Sequence, residues 1–208
     1  MTYLIFSILG VFIGSISNAF ENIKEYRKPL FKWYSKFFVR KTEYILVNII
    51  MAIIFNLLLL NYGLSLKLFT YISLCSILCV ASVIDMKNQK IPNPLIIAAA
   101  SLGLGSLLFY PNLNRTIDSI LGAISAILLL GLIFIISRNG IGIGDIKLLM
   151  CVGIFLGMQS TVESIIISIF ICGLVSFILM KLHFLNRKSN IPFAPFVFLG
   201  VLLTILSI

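Results

Sequence analysis

The sequence predicts an all-α polytopic membrane protein of about eight transmembrane helices, with its N- and C-termini extracytoplasmic. Three observations carry this. Of 208 residues, 60% are hydrophobic and only 11% charged, where soluble domains average about 25% charged. The apolar residues gather into eight runs, set against the about 20 residues that a helix needs to cross a bilayer core. Lysine and arginine load alternate loops heavily and the others sparsely, the pattern of positive-inside topology. Residues 1–208 read as a single transmembrane domain, with too little polar sequence for a separate soluble one.

The expected spans are Tyr3 to Phe20, Tyr44 to Leu60, Leu68 to Ile84, Leu95 to Phe109, Ile120 to Ile136, Ile146 to Gly157, Ser164 to Met180 and Phe193 to Ile208. Six or seven spans are the alternatives to eight. The fourth and sixth are short, and the sixth reads as tilted, partly re-entrant, or extended through Met158 to Thr161. The first lacks a basic n-region before it and a clean small-residue cleavage site, so it reads as a retained span and not a removed signal peptide.

Orientation follows from the basic residues. The odd loops carry seven (Lys24 to Lys41), two (Lys87, Lys90), two (Arg138, Lys147) and three (Lys181, Arg187, Lys188), and the even loops only Lys67 and Arg115. This puts the odd loops in the cytoplasm. The net charge of +9 is thereby a topology and headgroup signal rather than a nucleic-acid one. Pro92 and Pro94 end any helix arriving from the third span and restart the chain as the fourth. Asn61-Tyr62-Gly63 and Pro111-Asn112 mark outer turns. Cys75, Cys79, Cys151 and Cys172 lie in apolar runs, where small buried thiols are expected and a metal site is not.

Two of the seven acidic residues stand out. Asp85 ends the third apolar run and Asp145 opens the sixth. Carboxylates at membrane boundaries are costly and call for a function. Loop charge puts both at the cytoplasmic face, where their helices can bring them together across sixty positions. Two adjacent carboxylates do not both ionise easily. One stays protonated and polarises a carbonyl, while the other takes a proton from water. That chemistry needs no metal and no covalent intermediate. The sole histidine, His183, joins no Ser-His-Asp or HExxH pattern.

Capping is the competing explanation. Asp145 is placed to cap a helix starting at Ile146. Asp85 is badly placed, because it ends a helix where the dipole is negative. Gly140, Gly142 and Gly144 alternate with isoleucines and read as an extended segment open on one face to a substrate strand. The tract lacks the Lys-Ser/Thr ending of a phosphate loop. Lys87 reads as a headgroup anchor. Lys147 reads equally as an anchor and as a partner of the Asp145 carboxylate.

Gly142-Ile143-Gly144-Asp145, extended by Lys147, resembles the GxGDxK signature of bacterial type IV prepilin peptidases, which are intramembrane aspartyl proteases. Asp85 followed by Ile91-Pro92-Asn93 resembles that family's other aspartate motif. Ile191-Pro192-Phe193-Ala194-Pro195-Phe196 is similar to its IPFGPF segment, with Ala194 for glycine. Gly14-Ser15-Ile16-Ser17-Asn18 is similar to its GSFLN, and Glu43 falls where a glutamate opens the second span. Four ordered matches cover nearly the whole chain. The Ile-Pro-Asn motif, the IPFAPF segment and the span count argue against preflagellin-type and signal-peptide-peptidase-type enzymes.

The resemblance implies removal of the short leader of type IV prepilins or pseudopilins at the cytoplasmic face of the bacterial cytoplasmic membrane, with Asp85 and Asp145 catalytic. Gly142, Gly144, Lys147, Glu43, Pro92 and Asn93 would support the site or bind substrate. Prepilins of this family carry an acidic residue shortly after the cut, which Lys147 would recognise. Many relatives also hold zinc through paired Cys-x-x-Cys motifs between the first two spans and methylate the new N-terminus with S-adenosylmethionine. Here the loop 21–43 is short and basic and has no cysteine, so zinc is not expected and methylation is put in doubt. The expected partners are the prepilin and the lipid bilayer, with no nucleic acid. The alternative from a different class is a small polytopic transporter or a pilus or DNA-uptake assembly scaffold without peptidase activity.

Overall fold

The computed structural model describes residues 2–19, 42–108, 112–136, 142–183 and 190–207. They form eight α-helices and, among the described residues, no strand: α1 (Thr2–Ala19), α2 (Thr42–Tyr62), α3 (Leu66–Asn88), α4 (Asn93–Leu108), α5 (Leu113–Ile136), α6 (Ile143–Leu156), α7 (Met158–Lys181) and α8 (Ala194–Ser207). The all-α expectation holds at this level. Segment 45–62 of α2, and α3, α5 and α7, are long and apolar enough to cross a membrane, while α4 and α8 are shorter apolar helices. At about 1.5 Å per residue α6 is only about 21 Å long.

α3 is the central helix. It packs against α1, α2, α4, α6 and α8, and 61% of its apolar window is buried, against 17–28% in the other long helices. Ser65 caps its start, accepting the Leu68 N–H at 3.3 Å. Gln89 ends it in the left-handed region. Leu74 and Leu78 of α3 are fully buried in one core with Met51, Phe55, Leu148, Leu149, Val152, Ile165 and Ile205. The perimeter is apolar too: Ile135, Phe170, Phe177 and Leu128 are each more than 60% exposed. A surface of this kind suits hydrocarbon and not water.

Small residues set the closest helix approaches. A Cβ on Gly122 of α5 would lie 2.6 Å from the Gly153 carbonyl oxygen of α6. Gly200 of α8 rests on Ser164 and Ser168 of α7 in the same way. Such contacts drive association where lipid removes the hydrophobic drive. Several buried hydroxyls bond within their own helices, as Ser82 to the Leu78 carbonyl at 2.7 Å and Ser168 to the Ser164 carbonyl at 2.6 Å. Those bonds meet the need for internal satisfaction.

Several expected boundaries shift. The third run continues past Asp85 to Asn88, so Asp85 lies inside the last turn of α3 and not beyond it. The sixth run does not extend to Thr161: α6 stops at Leu156, Gly157 turns the chain at φ +81°, and α7 begins at Met158 rather than Ser164. Asp118 of α5 makes that early start favourable, since its Oδ1 accepts the Met158 N–H at 3.0 Å. The basic loop up to Lys41 and the stretch containing Gly140 lie outside the described residues.

Candidate active site

α3 and α6 bring Asp85 and Asp145 to the same end of the bundle. Both are buried, at 4% and 8% exposure, and the Asp85 charge acts directly on Asp145. Asp85 arrives on the last turn of α3. Its Oδ2 accepts the Ala194 N–H at 3.0 Å, and the Phe193 amide is directed at it as well. Ala194 is the first residue of α8, so Asp85 caps α8 from across the bundle. The expectation that Asp85 is badly placed for capping was local. It holds for Asp85's own helix and fails for a neighbouring one, whose positive end faces the carboxylate.

The end of α3 is tied to the same stretch a second time. Gln89, with φ 50°, donates its N–H to the Asp85 carbonyl at 2.9 Å, and its Nε2 reaches the Asn190 carbonyl at 3.1 Å. The segment 190–194, which includes the Ile-Pro-Phe-Ala motif, is thereby fixed to the turn that carries Asp85.

Asp145 does not cap a helix starting at Ile146. α6 begins earlier, at Ile143, and Gly142 is its N-cap in extended conformation, without a side-chain cap. The Gly142 carbonyl accepts the Asp145 N–H at 3.0 Å. Asp145 is thus in the first helical turn, where the dipole favours an acid. The extended reading of the glycine tract holds at Gly142 and fails at Gly144, which is helical.

The glycines have other roles. A Cβ on Gly142 would stand 3.0 Å from Asp145 Oδ2, and one on Gly144 3.2 Å from the Ile91 Cβ. The absent side chain at Gly142 gives the carboxylate its room. The one at Gly144 lets the chain after Asp85 lie against the helix that carries Asp145. The two aspartate motifs are in contact. Asp145 Oδ1 is buried and has no hydrogen-bond partner among the described residues. An unsatisfied carboxylate oxygen in a bundle is costly, and functional sites are where that cost recurs.

The remaining expected residues sit as follows. Pro92 accepts the N–H groups of Leu95 and Ile96 at 3.1 and 3.4 Å and so starts α4, of which Asn93 is the first residue. Both are exposed, as is Lys147. Glu43 lies in the first turn of α2, and its side chain is outside the described residues. Sequence reasoning missed Ala194 as a partner of Asp85. It had no local signal, since it is itself apolar and its N–H, not its side chain, makes the contact. Among the described residues no three metal-ligating side chains converge. Cys75 and Cys79 are buried in α3, as expected of packing thiols.

The described residues form a helical bundle with four apolar helices long enough to cross a membrane and two buried aspartates at one end. Comparison makes the class specific. The model of the type IV leader peptidase family matches residues 72–177, a stretch that includes both aspartates, and the chain belongs to that family. A prepilin leader peptidase/N-methyltransferase of Bacillus subtilis is 29% identical over 159 residues, covering 76% of this chain and 64% of that protein. Proteins of the same name from Pseudomonas aeruginosa and Xanthomonas campestris are each 26% identical, covering 74% and 81% of this chain and 54% and 62% of theirs. The chain therefore spans between half and two thirds of the length of these relatives. No solved structure matches it.

Proposed function

We propose that this chain is a membrane aspartyl endopeptidase that removes the short N-terminal leader from type IV prepilins or pseudopilins. The observation that carries the reading is that Asp85 and Asp145 are both buried at one end of the bundle, where the two aspartate motifs approach through Gly144 and Ile91. In the proposed mechanism the pair holds one proton between them. The protonated carboxyl donates to the scissile carbonyl, and the ionised one takes a proton from the attacking water. Asp85 Oδ2 is already held as an acceptor by the start of α8. Asp145 Oδ1 is the atom left to meet water or the scissile carbonyl.

The eight helices are read as crossing or entering the bacterial cytoplasmic membrane. Fourteen of sixteen basic residues on one side support a cytoplasmic site and extracytoplasmic termini. Gly142 and Gly144 shape the site. Pro92 and Asn93 position it by starting α4. Lys147 is assigned to the acidic residue that follows the cut, and Glu43 to the mouth of α2. The relatives' shared name includes N-methyltransferase. Methyl transfer would draw on S-adenosylmethionine, and the cysteine-free loop 21–43 argues against its retention here. That loop offers no thiolate for zinc, and proteolysis by a carboxylate pair calls for neither group.

The test is cleavage of a purified prepilin by the purified protein in detergent. Leader removal is expected from the wild type, and none from Asp85→Asn or Asp145→Asn. Full cleavage by either variant rules out the dyad.

A further inference from the structure

Lys67 and Arg115, the two cations of the sparsely charged loops, line one small cavity although they belong to different helices. The cavity lies between the starts of α3 and α5 and the α6–α7 turn. Its volume is about 120 Å³, and Tyr71, Asp118, Ser119 and Gly157 share its wall. It is remote from the aspartate pair. Lys67 and Asp85 sit at opposite ends of α3, about 27 Å apart at 1.5 Å per residue.

We propose that this cavity binds a phosphate group, either that of an anionic phospholipid headgroup or free phosphate. Charge supports it. Lys67 and Arg115 against Asp118 leave the wall at +1, and a phosphodiester of charge −1 neutralises that. Asp118, whose Oδ1 accepts the Met158 N–H at the start of α7, is counted in that sum at full charge. Size supports it as well. At about 30 Å³ per water the cavity has room for about four waters, enough for one tetrahedral oxyanion and too little for an acyl chain.

The surroundings supply the rest of the recognition chemistry. Ser119 is 3% exposed and Tyr71 partly buried, so hydroxyl-bearing side chains back the two cations. Arginine and lysine pockets between membrane helices recognise headgroups in this way. Among the described residues, Lys67 and Arg115 are the cations that line this cavity. The inference does not depend on peptidase activity or on which leaflet the cavity faces.

The experiment uses the full chain in detergent. Native mass spectrometry compares retention of phosphatidylglycerol with phosphatidylcholine, and a thermal-shift titration with inorganic phosphate runs beside it. The wild type is expected to retain phosphatidylglycerol, or to be stabilised by phosphate, and the first result without the second identifies a lipid. The Lys67→Ala/Arg115→Ala variant is expected to lose that binding by tenfold or more, Lys67→Arg/Arg115→Lys to keep most of it, and Lys181→Ala to be unaffected. Equal binding by wild type and Lys67→Ala/Arg115→Ala, or no preference for either phosphate probe over phosphatidylcholine, overturns the proposal. The charge-conserving variant guards against misfolding as the cause of a loss.

Discussion

The Ala194 N–H donates to Asp85 Oδ2 at 3.0 Å across a sequence separation of 109. One carboxylate thus serves two structures, as a member of the aspartate pair and as the cap of α8. Substitution separates the two roles. Asp85→Asn keeps an oxygen that can cap and loses the charge. It should stay folded, with a Tm near wild type, and give no prepilin cleavage. Asp85→Ala should lose cleavage and also about 1 kcal/mol of stability, the usual cost of a missing cap. Leader removal by gel shift, paired with melting in detergent, reads both.

Gly142 controls the position of the other carboxylate. Gly142→Ala places a methyl 3.0 Å from Asp145 Oδ2. Displacement of a reacting group by about 1 Å costs about a hundredfold in rate. The carboxylate must give by a few tenths of an ångström, so kcat should fall by about two- to tenfold, with little change in Tm. An unchanged kcat would mean that Asp145 does not react from this position.

Gly153 faces Gly122 across the α5–α6 contact, where an added Cβ would meet backbone within 2.6 Å. Gly153→Leu should force the helices apart, at about 1–3 kcal/mol or more. A lowered Tm with loss of cleavage is expected. Gly173→Leu is the control, since a Cβ there meets nothing within 4 Å.

Lys147 is exposed one turn into α6. If it reads the acid after the cut, Lys147→Ala should raise KM for a prepilin carrying that acid. It should change little for one in which the acid is neutralised. Equal kinetics on the two substrates would reduce Lys147 to a headgroup anchor.

Chelation separates carboxylate from metal chemistry. Treatment with EDTA followed by desalting should leave the cleavage rate within twofold, because the proposed reaction passes through Asp85, Asp145 and water alone.

Much of this was legible in the sequence because charge is scarce in it. Asp85 and Asp145 were conspicuous among apolar runs, and loop charge put them on one side before any helix was placed. Contacts that depend on partners far along the chain were not legible. Nothing near Asp85 announces α8, and nothing near Met158 announces Asp118, so the caps of α7 and α8 were invisible. The glycine tract misled for a related reason. Gly144 has poor helix propensity, yet it is helical, and its missing side chain serves the close approach to Ile91, whose Cβ would lie 3.2 Å from an added one.

The cap that Asp85 gives to α8 also imposes an order on biogenesis. Asp85 leaves the ribosome more than a hundred residues before the amide that will hold it. In the interval its carboxylate has no such anchor, and the turn from Gln89 has no Asn190 carbonyl to grip. Asp85 reaches its capped geometry only when α8 docks, so completion of the site waits for that helix.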